Sequence, residues 1–136
     1  MAAGNCVLLK PSEMAPYTAK ILKQLFARFL DCNAYQCVNG AVNVAIRTTT
    51  SPVDLIIFTG STEKGKLVAQ AAAKNLVPCI LELGGKCPMV IDETCDLGYT
   101  AKKAAAMAFL NSGQLCIRSD YCLVQSAIMD KFLTKL

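Results

Sequence analysis

Three short stretches carry residue types whose spacing could do chemistry. Gly113-Gln114-Leu115-Cys116 places a thiol in a glycine-containing loop between a helical pattern and a strand-like run. Loops at element ends are where a nucleophile can meet its substrate. Taken singly, any one of eight cysteines is more often inert filling than a catalyst. The chain contains no histidine, so a Cys-His pair within it is excluded and a reactive Cys116 needs help from something other than imidazole. Leu81-Glu82-Leu83-Gly84-Gly85-Lys86 sets a carboxylate between two leucines at the end of an apolar run. In a buried strand, desolvation would raise its pKa and suit it to proton transfer near neutrality. The alternative is an edge glutamate paired with Lys86.

The third stretch, Gly60-Ser61-Thr62-Glu63-Lys64-Gly65-Lys66, stands where a helix would begin, and the amides and dipole of a helix start attract phosphate. It nearly matches the P-loop pattern, and Met89-Val90-Ile91-Asp92 mimics the acidic strand end that accompanies such loops. Leu67 stands where a hydroxyl must hold magnesium, which discounts nucleotide hydrolysis. The GxGxxG dinucleotide fingerprint is missing too. From pattern alone, a tight turn into a core helix stays open beside phosphate binding.

The elements that must position these residues alternate short β-rich runs with longer helical ones, an α/β signature with no internal repeat. Strands are predicted at Cys6 to Lys10, Tyr35 to Val38, Asp54 to Thr59, Cys79 to Leu83, Met89 to Ile91 and Tyr121 to Val124. The apolar runs at Cys79 to Leu83 and Met89 to Ile91 suit buried strands. Ser12 and Glu13 offer helix-initiating chemistry before a helix from Pro16 to Leu30, striped by Ala19, Leu22, Leu25, Phe26 and Phe29. Further helices are predicted at Val42 to Arg47, at Lys64 to Lys74 with helical spacing in Leu67, Val68, Ala71 and Ala72, at Leu97 to Leu110, and from Ala127 onward. The chain opens on a core-like strand and stops in a helix without a C-cap, which suggests a fragment or reduced version of something larger.

Composition narrows the function classes. A hydrophobic share of 54% and a mean hydropathy of +0.39 exceed what a small free-standing domain usually carries, so some apolar surface expects another domain or subunit. No apolar stretch approaches the ~20 residues of a membrane span, and no secretory signal is visible. The net charge of +4, with lysines scattered rather than clustered with aromatics, gives nucleic-acid binding little support. Cysteines at 6, 32, 37, 79, 87, 95, 116 and 122 form no CxxC pair, so no metal site is expected. Thiols within apolar runs, such as Cys6 and Cys79, behave as small hydrophobes, and a reducing, cytoplasmic compartment is expected.

Leu-Lys-Pro-Ser-Glu at 9 to 13, Phe-Thr-Gly-Ser-Thr at 58 to 62, Leu-Glu-Leu-Gly-Gly-Lys at 81 to 86 and Gly-Gln-Leu-Cys at 113 to 116 occur in this order in aldehyde dehydrogenases. The chain resembles that family over essentially its whole length, most of all its class 3, fatty-aldehyde branch. The resemblance implies part of a Rossmann-type open parallel sheet with flanking helices, residues 1–84 lying in a partial cofactor-binding domain and residues 85–136 starting a catalytic domain. It implies oxidation of an aldehyde to a carboxylic acid with NAD or NADP, NAD slightly preferred. By resemblance, Lys10 and Glu13 would contact the adenosine ribose, Gly60, Ser61 and Gly65 would lie near the cofactor pyrophosphate, and Leu83 and Gly84 would also line the cofactor site. Cys116 would be the nucleophile, its own backbone N–H an oxyanion donor, and Glu82 the general base.

The family's oxyanion-hole asparagine, its second cofactor glutamate and most of its oligomerisation elements have no counterpart in this sequence. A homodimer is therefore an inherited expectation. The alternative is a catalytically impaired remnant acting as a nucleotide-binding or interaction module.

Overall fold

The computed structural model describes residues 1–136. Strands run over Val7–Leu9 (β1), Tyr35–Cys37 (β2), Ile56–Gly60 (β3), Cys79–Leu83 (β4), Cys87–Ile91 (β5) and Ser119–Val124 (β6). Helices run over Pro16–Phe29 (α1), Val42–Thr49 (α2), Thr62–Lys74 (α3), Leu97–Phe109 (α4) and Met129–Lys135 (α5). The expected α/β alternation is present, but as three two-stranded sheets, β1-β2, β3-β4 and β5-β6, rather than one continuous sheet. β1-β2 and β5-β6 are parallel, which requires the crossovers that α1 and α4 supply.

The chain divides into two compact units, one of Met1–Phe58 with Glu63–Leu81, the other of Thr59–Thr62 with Glu82–Leu136. In the first, Ile56, Val68 and Ala72 form a buried cluster flanked by Val53, Phe58, Val77 and Cys79. The inward face of α3 is Gly65, Val68 and Ala72, at i, i+3 and i+7, whereas Leu67, part of the predicted helical spacing, is 65% exposed. On α1 the covered residues are Ala19, Leu22 and Phe26, while Leu25 and Phe29 stay exposed. The N-cap of α1 is Ala15, without a side-chain bond, and Pro16 takes the first helical position, where its missing N–H costs nothing. Ser12, expected to cap, instead accepts from the Met14 amide at 3.2 Å in a separate turn.

The second unit packs around Phe132, 1% exposed, with Ile91, Ala101, Ala104 and Ile128 about it. Asp96 caps α4 by accepting from the Tyr99 amide at 2.9 Å. Small alanines at 101 and 104 let α4 approach this core closely.

The strands expected to be buried, β4 and β5, are only partly covered. β4 and β5 alternate half-buried and exposed residues, so Ile80, Glu82 and Val90 lie on uncovered faces. The thiols divide differently too: Cys37 is buried, Cys79 half-buried, and Cys6 exposed rather than packed.

Candidate active site

Where β1 ends, Lys10 bends over Pro11. Its Nζ donates to the Pro11 carbonyl at 2.8 Å and to Glu13 Oε2 at 2.9 Å. The lysine side chain is only 14% exposed, its stem lying against the chain, whereas Glu13 is 43% exposed. The hydrogen bond from Lys10 holds the Glu13 carboxyl below its ordinary pKa of 4.5, with the lysine's charge adding to it. A cleft of about 220 Å³ opens beside this pair, with Glu13, Pro16, Asn39 and Gly40 on its walls. A side chain at Gly40 would run into Val44, so glycine keeps that wall open.

Gly60 is the last residue of β3, Ser61 stands between β3 and α3, and Gly65 is buried in the first turns of α3. Gly65 shares the inward helix face with Val68 and Ala72, which gives it a packing role in its own right.

Glu82, Leu83 and Gly84 form the end of β4 and the turn after it. Glu82 is exposed, so the desolvation expected of it is absent from this chain's own packing. The pairing with Lys86 is absent as well, because Lys86 Nζ bonds Asp120 Oδ2 at 2.8 Å. A Cβ added at Gly84 or Gly85 would meet nothing within 4 Å, so open space lies beside both.

Cys116 follows α4 through a tight turn. Asn111, Ser112 and Gly113 all take left-handed backbone conformations, with φ of 53, 58 and 72°. Only glycine adopts that region freely, and each other residue there costs about 1 kcal/mol, so the turn stores strain immediately before the thiol. Gln114 and Arg118 amides close the turn onto the carbonyls of Asn111 and Leu115 at 3.1 and 3.3 Å. The thiol of Cys116 is exposed. Its carbonyl accepts from the Cys87 thiol at 3.3 Å.

A cluster that the motifs alone did not reveal fastens this loop. Between β5 and β6 the register steps from Cys87↔Ser119 to Pro88↔Tyr121, leaving Asp120 as a bulged residue without a partner strand position. Asp120 accepts from Lys86 at 2.8 Å and from Arg118 at 2.5 Å, and these cations hold its carboxyl below its ordinary 3.8, the bond from Lys86 foremost. Sequence signs existed in the Lys86 and Asp120 charges, but only the strand pairing says that they meet.

The structure therefore brings Lys10 together with Glu13, and Cys116 together with the segment that follows Gly85. It makes no bond between Glu82 and Cys116. No group of cysteines and carboxylates could hold a metal ion. No helix is long and apolar enough to cross a membrane.

The α/β chain thus carries an exposed cysteine in the loop after α4 and a glutamate-glycine strand end at β4, and comparison with known proteins defines the class. Residues 1–136 match the aldehyde dehydrogenase family along their whole length, and the chain belongs to that family. It is 42% identical over 136 residues to aldehyde dehydrogenase family 3 member A2 of Rattus norvegicus, covering 100% of this chain and 28% of that protein. It is 43% identical to the dimeric NADP-preferring aldehyde dehydrogenase of the same organism, covering 100% of this chain and 30% of the relative. Among solved structures, the substrate-bound state of Staphylococcus aureus AldH superposes with a TM-score of 0.92 at 38% identity, over 99% of this chain and 30% of that one. The chain thus spans less than a third of the length of these relatives.

Proposed function

We propose that the protein oxidises an aldehyde to a carboxylic acid with NAD or NADP, Cys116 serving as nucleophile and Glu82 as general base. The observation that carries this is the placement of Cys116: an exposed thiol, in the Gly-Gln-Leu-Cys motif, immediately after a strained left-handed turn. Residues 1–84 then belong to the cofactor-binding part and residues 85–136 to the start of the catalytic part.

The Cys116 thiolate attacks the aldehyde carbon, and its own backbone N–H donates to the oxygen as negative charge develops there. NAD(P)+, when bound, supplies the acceptor for the hydride that leaves the former aldehyde carbon. Cys116 is left as a thioester, and Glu82 takes a proton from the water that attacks it. The acid departs and the Cys116 thiolate returns. An exposed strand face suits Glu82 to reach such a water.

The cofactor residues fit their roles chemically. Lys10 has three N–H donors, of which Pro11 and Glu13 take two, so one is left for a ribose hydroxyl beside the Glu13 carboxylate. The cleft next to Glu13 offers room for a sugar edge. Glu13 favours NAD, since a carboxylate accepts from a 2′-hydroxyl and repels a 2′-phosphate. Open space at Gly84 suits close approach of a cofactor ring. A relative named dimeric motivates a homodimer as part of the same proposal.

The first experiment is a thermal melt of the whole chain with and without saturating NAD+. Binding confined to the native state raises the midpoint, and at a hundredfold excess over Kd contributes about 2.7 kcal/mol. An upward shift, followed by aldehyde-dependent NADH formation that Cys116→Ala abolishes, is the expected result. A cooperative melt that NAD+ does not move, in a chain that forms no NADH, would remove the proposal.

A further inference from the structure

The Cys87 thiol donates to the carbonyl oxygen of Cys116 at 3.3 Å, so two of the eight cysteines meet at the loop assigned to catalysis. Nothing in the proposed reaction uses Cys87. We infer that Cys87 is a resolving thiol for Cys116, and that the two together form a modification site for small organic disulfides such as oxidised glutathione. The inference rests on the reading of Cys116 as the reactive thiol.

Geometry favours the pair. A carbonyl oxygen lies about 2.4 Å from its own Cα by ordinary bond lengths. The Cys87 sulfur is therefore within roughly 6 Å of the Cys116 Cα, so a shift of the Cys116 loop can bring the two Cα atoms to the separation of about 4.4–6.8 Å that a disulfide requires. Closing the bond needs rotation of the Cys116 side chain and a small shift of its loop, whose residues Gln114, Cys116 and Ile117 are all exposed. The strand pairing of Cys87 with Ser119 keeps the other thiol in place while the loop moves. Cys87 is half-buried, so a bulky disulfide reaches Cys116 first.

The chemistry balances without any further reagent. The Cys116 thiolate attacks one sulfur of oxidised glutathione, forming a mixed disulfide and releasing one glutathione thiolate. Cys87 then loses its proton to solvent and attacks the Cys116 sulfur, which forms the Cys87–Cys116 bond and expels the second glutathione thiolate. The protein gives up two electrons and two protons, and one molecule of oxidised glutathione becomes two of the thiol. Closure takes the nucleophile out of reaction and removes the donor from its carbonyl in the same step, and an excess of thiol reverses both.

The test treats the whole chain with oxidised glutathione under native conditions and maps its disulfides by mass spectrometry. In the native chain Cys116 should be found joined to Cys87, with glutathione lost from it and dithiothreitol restoring both thiols. In Cys87→Ser, which keeps a hydroxyl donor for the Cys116 carbonyl, glutathione should stay on Cys116. In Cys116→Ser the internal disulfide at Cys87 should be lost. Glutathione retained on Cys116 equally in the native chain and Cys87→Ser would overturn the resolving role alone, as would pairing of Cys116 with Cys122. Failure of Cys116 to take glutathione while exposed Cys6 and Cys32 do so would overturn both this role and the assignment of Cys116 as the reactive thiol.

Discussion

Lys86 Nζ lies 2.8 Å from the Oδ2 of Asp120, across the one break in register between β5 and β6. The pair ties the turn that follows Glu82 to the strand that follows Cys116, so the two proposed catalytic segments share an anchor. The lysine is 80% exposed and the aspartate 14%, so the contact is screened on one side only. Arg118 approaches the same carboxylate from within the cysteine loop.

Asp120→Asn should loosen that anchor while preserving shape. Amides 114 to 118 are expected to exchange faster with deuterium, with little change around Phe132, whose packing does not involve Asp120. The sign with pH follows from the depressed carboxyl. A folded pKa below the ordinary 3.8 stabilises the native state at pH above 3.8, and that contribution is lost as pH falls through the folded value. The difference in melting midpoint between native chain and variant should therefore be largest near neutrality and shrink in strong acid. A constant difference would mean that the ion pairs contribute nothing.

The Lys10–Glu13 pair makes a second titration testable. Glu13 lies below its ordinary 4.5 chiefly through the bond from Lys10. Lys10→Met should raise it toward 4.5, read from the side-chain carboxyl shift by NMR. As with Asp120, any stabilisation from the pair is present above 4.5 and lost as pH falls through the folded value. If Glu13 titrates unchanged in the variant, the 2.9 Å contact is not what depresses it.

Much of this architecture was legible in the sequence because its signals are local. The strand Cys79–Leu83 has the predicted limits, and α1 begins at the predicted Pro16 because proline at the first turn fixes φ without losing a bond. What escaped depends on partners distant in the chain. The runs at β4 and β5 read as buried because hydrophobicity does not reveal whether a second layer covers them, and Ile80 and Val90 turn out uncovered. The cap at Ser12 failed because its hydroxyl satisfies Met14, before the helix begins. Cys116 and Glu82 were visible as motifs, but the Asp120 bulge needs the β5-β6 register, which no local spacing encodes. Gly65 carried two readings, and its burial beside Val68 adds packing to the role suggested by resemblance.

Phe132→Ala tests how far the second unit depends on one side chain. Phe132 is 1% exposed against Ile91, Ala101, Ala104 and Ile128, and none of these can expand to fill the void. A loss of about 3–5 kcal/mol is expected from urea unfolding, enough to disorder α5 and the strands it covers. Phe29→Ala, at a position 66% exposed, should stay within about 0.5 kcal/mol of the native chain. Comparable losses in the two variants would mean that Phe132 is not the centre of this packing.

Two glycines near the proposed site should respond in opposite ways to the same substitution. Gly113 has φ of +72°, and a Cβ there would meet the Ala108 carbonyl oxygen at 3.1 Å and Arg118 Cδ at 3.4 Å. Gly113→Ala therefore combines a left-handed penalty of about 1–2 kcal/mol with crowding of the turn that presents Cys116. It should lower the melting midpoint and alter the alkylation rate of Cys116 relative to exposed Cys32. Gly84 meets no such obstacle, since nothing lies within 4 Å of a Cβ there. Gly84→Ala should leave stability within about 0.5 kcal/mol of native, yet reduce the upward shift that NAD+ produces, because the added methyl occupies the space proposed for the cofactor. An undiminished NAD+ shift in a normally folded Gly84→Ala chain would take Gly84 out of the cofactor site, whereas a diminished one at unchanged stability is what steric exclusion of a ligand, rather than damage to the fold, predicts.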